Sequence, residues 1–278
     1  MIMKSIIVFY HIKDNDGLGS AWAAWRILKE KADYFGIDYH FDHHFDYKGK
    51  TIYFLDFRPS DEVISLLKRK KNYLVLVDHH ISSKNKLKLF DEYKFDAKHS
   101  AAVLTWQYFF PHKKIPKILL YIEDIDIWKF KLSFSRDINN AIEFYDGNFK
   151  HWNKLARDLE DASKRKEYIK VGKIISQYQD KLIQKIAAKA KLVKFEGKKV
   201  FAVNSSILIS EVGNVLVRKR PPLAIVWSEI DKKVWFSLRS NGSCDVSKIA
   251  EKYGGGGQKG ASAFMLDINA PLPWQKIQ

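Results

Sequence analysis

The chain predicts an α/β protein: an N-terminal parallel sheet with helices on both faces, a helical linker, and a smaller C-terminal α/β domain. Three observations predict it. Short apolar runs alternate with helix-patterned segments up to about residue 140, and strands alternating with helices build a parallel sheet. Three of those runs, VFYHIKDNDG, TIYFLD and LVLVDHH, end directly in Asp or His. From 149 onward the texture changes, first to a Lys-rich helical stretch and then to short β-like runs.

Taken in order, a strand over 6–10 leads into a helix over 18–31, where AWAAWRIL supplies an apolar face. A strand over 52–55 precedes a helix over 60–70, with Ser60 after Pro59 as its N-cap. A strand over 74–77 ends at Asp78-His79-His80, and helices follow over 100–110 and 116–123. Between 149 and 191, Leu155, Leu159, Ile169, Ile174, Ile175, Tyr178, Leu182 and Ile186 recur at helical spacing. That pattern is a long amphipathic helix or a helix pair; it reads as a linker, or equally as a surface for self-association into a homodimer. After Phe195 come the β-like runs KVFAVN, LAIVWSEI and KVWFSLRS, a helix over 246–253, and the glycine run 254–257 leading into QKGASAFML. The expected division is 1–148, the sheet domain with its site; 149–192, the linker; and 193–278, the second domain.

Composition excludes several classes. No apolar run approaches the roughly 20 residues that span a bilayer, so no membrane partner is expected. Cys244 is the only cysteine, which rules out an internal disulfide, gives no thiolate metal site and fits a reducing cytoplasm. The first apolar run meets His11 and then acidic residues, so it reads as a strand and not as a secretion signal. The net charge of +16 favours an anionic partner such as nucleic acid, but it comes mostly from lysines scattered along the chain. Solvated helix faces explain it equally well.

A parallel strand that ends in Asp or His delivers that side chain to the carboxyl edge of the sheet, where ligands bind. His11, Asp14 and Asp16 leave the first strand, Asp56 the second, and Asp78, His79 and His80 the third. Carboxylate oxygens with a few imidazoles suit Mn²⁺ or a similar divalent ion. Two ions about 3.5–4 Å apart would clamp a phosphoryl group, with Asp56 able to bridge them. In this reading Asp78 orients His79 through a hydrogen bond. The triplet Asp42-His43-His44 lacks a preceding apolar strand and reads as a loop. Asp124 and Asp126, in YIEDIDIWKF, offer a further carboxylate. In the C-terminal part, Arg239 and Ser240 of SLRS and the glycine run suggest a phosphate-binding wall.

These motifs resemble the DHH-family phosphoesterases that carry a DHH-associated C-terminal domain, a group including RecJ-like exonucleases, nanoRNases and phosphatases of 3′-phosphoadenosine 5′-phosphate. The resemblance rests on HIKDNDG (11–17), Asp56, Asp78-His79-His80 and the 124–126 segment, and runs on through SLRSNGSCDVSKIAEKYGGGGQKGASAF. It implies one Mn²⁺ held by His11, Asp14 and Asp56. The other is held by Asp16, Asp56, His79 and Asp126 or Asp124, with Mg²⁺ or Co²⁺ as substitutes. It also implies catalytic roles for His80 and Asp78. Substrate contacts fall on Arg239, Ser240, Gly255, Gly256, Gly257 and Gln258, and the substrate is a short nucleic acid or a nucleotide. Gln258 stands where such proteins typically have histidine; glutamine donates a hydrogen bond but carries no charge.

Overall fold

The computed structural model describes residues 4–38, 46–145 and 148–277. The look-alike triplet Asp42-His43-His44 therefore lies outside the described residues. The chain forms two compact units, Met1–Ser176 and Gln177–Gln278. Among the described residues, no helix is long and apolar enough to cross a membrane.

In the first unit, β1 (Ile6–His11), β2 (Ala32–Ile37), β3 (Thr51–Leu55), β4 (Tyr73–Asp78) and β5 (Glu92–Phe95) pair in the order β2-β1-β3-β4-β5. Every pairing is parallel. The period-two alternation of a strand sorts its side chains between two cores. Ile7, Phe9, Ile52, Phe54, Leu74 and Leu76 point to one face and pack on Ile64 and Leu67 of α2 (Asp61–Arg69). Val8, Leu55 and Val77 point to the other, against Ala24 of α1 (Asn15–Leu28) and Leu104 of α3 (Ala101–Phe109). The strand order reverses direction between β1 and β3, and such a switch point opens a crevice at the carboxyl ends of the strands.

Helix starts follow local chemistry. The Ser60 hydroxyl accepts from the Val63 amide, as its position after Pro59 predicts, and Ser100 does the same for Val103. The α1 start lies earlier than the apolar face suggested, because the Asp14 carboxylate accepts the amides of Asp16 and Gly17 and so caps the helix at Asn15. The periodic stretch after 149 is a helix pair, α6 (Phe149–Glu160) and α7 (Ala162–Ala187), following α4 (Lys117–Asp126) and α5 (Ser135–Phe144). Trp152, Leu155, Leu159 and Tyr168 are buried in the core built on α1, α3, α4 and α5, whereas Ile183 and Ala187 join a core of the second unit. β2, β5 and α5 had no distinct signal in the apolar pattern.

The second unit holds a mixed sheet, ordered β10-β11-β9-β8-β7-β6-β12. Its strands are β6 (Lys191–Phe195), β7 (Lys198–Asn204), β8 (Leu223–Ile230), β9 (Lys233–Ser240), β10 (Gly256–Gln258), β11 (Ala261–Asp267) and β12 (Gln275–Lys276). Helix α8 (Ile209–Lys219) packs on β8 and β9, and α9 (Val246–Lys252) on β10 and β11.

Candidate metal centre

The exits of β1, β3 and β4 and the end of α4 converge in the first unit. The turn after β1 is tight because residue 17 is glycine; a Cβ there would stand 1.9 Å from the His11 carbonyl oxygen. This turn holds Asp14 against β1, where its Oδ2 lies 2.9 Å from His11 Nδ1. The same His11 atom lies 3.7 Å from Asp56 Oδ2. Asp56 follows β3 with a left-handed backbone (φ 66°), anchored by its amide to the Val77 carbonyl at 2.9 Å. A short polar side chain is among the few that tolerate that conformation.

His79 is the second focus. Its Nε2 lies 3.5 Å from Asp56 Oδ1, 3.6 Å from Asp126 Oδ2 and 3.7 Å from Asp16 Oδ2. These separations are too long for hydrogen bonds. They match the spacing of donors around a shared ion, since two ligands each about 2.1 Å from one ion stand roughly 3–4 Å apart. Asp56 Oδ1 and Asp126 Oδ2 are buried without a hydrogen-bond partner, a costly state unless something else satisfies them. The donors assemble as His11, Asp14 and Asp56, and as Asp16, His79 and Asp126, with Asp56 also adjoining Asp78, His79 and His80. An oxygen-rich set with imidazole nitrogens and orphaned carboxylate oxygens fits divalent cations.

The electrostatics agree. Burial, then the charges of Asp16 and Asp14, push the Asp56 and Asp126 carboxyls well above the usual carboxylate range. Asp16 rises to about 6, through burial and the Asp14 charge. Burial and the neighbouring His80 lower His79 to about 4, so its ring is neutral and able to ligate at neutral pH. Asp14 goes the other way: burial is outweighed by the hydrogen bond and charge of His11.

Several residues differ from their expected roles. Asp124 stands outside the donor groups, and its two oxygens accept the amides of Lys131 at 2.8 Å and Leu132 at 3.1 Å. Asp126, the last residue of α4, reaches the cluster instead, because the two residues sit on different sides of the helix. Asp78 orients His80, not His79: its Oδ1 lies 2.7 Å from His80 Nδ1 and accepts both histidine amides, while Oδ2 accepts the Ser83 hydroxyl. Although the ring is partly buried, that contact and the charge of Asp78 raise the His80 pKa. Asp16 also serves the fold, since its oxygens accept the amides of Ala101 and Ala102, each at 2.8 Å, at the start of α3, where the helix dipole favours an anion.

A cavity of about 250 Å³ opens over the cluster, lined by His11, Asp14, Asp56, His80 and Asp126 together with Phe57, Arg58, Ser82 and Ser83. Arg58 was not among the residues the sequence pattern singled out. Its signal was a guanidinium two residues beyond the β3 carboxylate. Arg58 Nη1 donates to Asp61 at 2.6 Å and to the Pro59 carbonyl at 3.0 Å, which fixes the group at the cavity wall.

In the second unit, Arg239 Nη2 donates to the Ser210 hydroxyl at 2.7 Å, and Nη1 donates to Ser237 Oγ and the Leu238 carbonyl. The Ser240 hydroxyl donates to the Cys244 carbonyl at 2.6 Å. The glycine run is not an open cradle throughout. Gly254 (φ 74°) donates its amide to Glu251 and Gly255 donates to Ala250, the pairing that closes a helix C-terminus. Gly255 is therefore corrected to a helix cap; a Cβ there would meet the Ala263 carbonyl at 2.1 Å. Gly256, Gly257 and Gln258 form the exposed strand β10.

Residues 5–123 match the model of the DHH family, N-terminal domain. The matched stretch runs from β1 into α4 of the first unit. The chain is 29% identical to the R106 protein of Acanthamoeba polyphaga mimivirus, with 98% of this chain and 70% of that protein covered. It is 25% identical to a 3′,5′-cyclic-nucleotide phosphodiesterase of Helicobacter pylori, covering 72% of this chain and 70% of that one. An exopolyphosphatase-related protein of Bacteroides fragilis shares the fold, with a TM-score of 0.58, 16% identity, and coverage of 97% and 88%. The five-stranded parallel sheet and the donors at the exits of β1, β3 and β4 lie within the matched residues.

Proposed function

We propose that this chain is a Mn²⁺-dependent phosphodiesterase that removes nucleotides from an end of short oligonucleotides, or opens small nucleotide diesters. The observation that carries the reading is one buried carboxylate, Asp56, shared between two sets of N and O donors beneath a cavity walled by Arg58 and His80. The Helicobacter relative, named for a cyclic-nucleotide diester, supports a phosphodiester as the scissile group.

His11, Asp14 and Asp56 would hold one ion; Asp16, Asp56, His79 and Asp126 the other. When bound, such ions supply positive charge to phosphoryl oxygens and lower the pKa of bound water. The chain's own residues do the rest. Asp78 fixes His80 through Nδ1, which leaves Nε2 to hold a proton for the leaving oxygen. The hydrogen bond and charge of Asp78 favour the protonated ring that would supply it. Arg58 retains donors beyond its contacts with Asp61 and Pro59 and directs them to an anionic substrate. In the second unit, Arg239, Ser240, Gly256, Gly257 and Gln258 are the proposed substrate contacts.

The test is one panel assayed with Mn²⁺: RNA and DNA of roughly two to twenty nucleotides, cyclic nucleotides, phosphoadenosine phosphate and pyrophosphate. Turnover of short oligonucleotides or cyclic nucleotides supports the reading. Turnover of phosphoadenosine phosphate or pyrophosphate alone makes the protein a phosphatase instead. Nucleotide binding without turnover makes it a binding protein.

A further inference from the structure

Directly after Asp126 the sequence reads Ile127-Trp128-Lys129-Phe130-Lys131-Leu132-Ser133-Phe134, and every residue from 128 to 134 is exposed. Trp128 is 54% exposed, Phe130 51%, Phe134 48% and Leu132 40%. Four large apolar side chains on one seven-residue segment are unusual at a protein surface, and here they alternate with Lys129, Lys131 and Ser133. Aromatic faces interleaved with basic groups form the surface on which single-stranded nucleic acids stack their bases.

The segment is held in place. Trp128, Phe130 and Phe134 have left-handed backbones, with φ of 55°, 47° and 64°. Bulky residues rarely adopt that conformation unless surrounding contacts impose it. The contacts are present: the Asp124 carboxylate accepts the Lys131 and Leu132 amides, the Asp124 carbonyl accepts the Phe130 amide at 3.1 Å, and Lys129 Nζ bonds Glu123 at 2.7 Å. Glu123 in turn accepts from Ser100, beside the amides that bind Asp16. The Trp128 and Phe130 rings meet edge to face at 5.3 Å, and Lys173 Nζ lies 4.6 Å over Phe134. Only Ile127 separates Asp126 from Trp128, a reach of at most about 7 Å.

We propose that residues 128–134 form a nucleobase-stacking surface, which binds the base of a nucleotide or short single strand whose phosphate sits at the donor cluster. The proposal rests on the phosphodiesterase reading for the position of that phosphate. Asp124, the alternative to Asp126 as a metal ligand in the sequence reading, is the tether that fixes this surface to the end of α4, two positions before the carboxylate that joins the cluster. Three of the four apolar groups are flat rings, and the intervening charges are positive. A nucleotide, flat at one end and anionic at the other, fits both features better than an apolar protein face does.

The experiment compares Trp128→Ala, Phe130→Ala and Trp128→Phe with wild type in equilibrium binding of diadenylate and of its abasic sugar-phosphate counterpart. Each alanine variant is expected to weaken diadenylate by about tenfold, the scale of one lost stacking contact, and the abasic ligand by less than about twofold. Trp128→Phe should restore most of the loss. Circular dichroism and sedimentation confirm fold and oligomeric state. Equal weakening of both ligands, no weakening of either, or a changed oligomeric state without a base-dependent loss overturns the proposal; the last result would mark a self-association surface. The two readings fail separately. If wild type binds diadenylate in a base-dependent way but hydrolyses no phosphodiester, the stacking surface stands and the catalytic reading falls. If it hydrolyses diesters with no base dependence, only the stacking surface falls.

Discussion

Asp56 combines a left-handed backbone, deep burial and an oxygen without a hydrogen-bond partner. Asparagine keeps the shape and tolerates the conformation, so Asp56→Asn isolates the charge. Turnover should fall by more than about tenfold, about 1.4 kcal/mol or more in barrier. The rise in melting temperature on adding Mn²⁺ should vanish, because only binding to the folded state stabilises it. Residual activity above that level, with the metal-induced shift intact, would remove Asp56 from its bridging role. Asp126 gives a pH test. Its carboxyl is raised well above the usual range by burial and the charges of Asp16 and Asp14. A raised folded-state pKa contributes stability that is complete below the unfolded value and is lost as pH rises through the folded one. Metal-stripped wild type should therefore lose stability relative to Asp126→Asn as pH rises above the ordinary carboxylate range. The difference between the two proteins cancels the opposite contributions of Asp14 and Asp78, whose pKa values are lowered. Urea titrations with a chelator present measure this difference, and a gap that does not grow with pH would refute the electrostatic account of the cluster.

Among the elements, α5 and α7 come close enough for backbone to meet backbone. A Cβ on Gly172 would stand 1.8 Å from the Asp137 carbonyl oxygen, and Ser176 links Asn140 and Asp137 at 2.9 and 2.6 Å. Alanine normally stabilises a helix by about 1 kcal/mol over glycine. The overlap reverses the sign, because the helices must separate, at a cost of about 1–3 kcal/mol. Gly172→Ala should lower the denaturation midpoint, and an unchanged or higher midpoint would mean that α7 docks differently. At the other end of the unit, Gly17→Ala should disturb the His11–Asp14 turn and reduce turnover more than stability, because its Cβ strikes the β1 exit and not a core helix.

For the molecule as a whole, the charge of +16 sets how activity responds to salt. If the scattered lysines attract an anionic polymer, log(kcat/KM) for an oligonucleotide should fall linearly with log salt, and more steeply for longer strands. A dinucleotide, with fewer phosphates to neutralise, should show a shallower slope. Equal slopes for short and long strands would assign the charge to solubility alone.

The parallel sheet, the β1, β3 and β4 exits and the Ser60 cap were legible in the sequence, because strand periodicity and capping are local. So was the kinship of donors that end three different strands. β2, β5 and α5 were not legible, because their burial depends on which neighbours cover them. The choice of Asp126 over Asp124 depended on helix rotation, which aims two residues at different sides of α4. That Asp78 serves His80, that Gly255 caps α9, and that Arg58 reaches the cavity wall were decided by distances between atoms that the chain order does not constrain. The sequence by itself determined which donors exist and which strand ends carry them. Only the tertiary structure decided which oxygen faces which nitrogen, because that depends on the packing of helices against a sheet whose strands meet out of chain order.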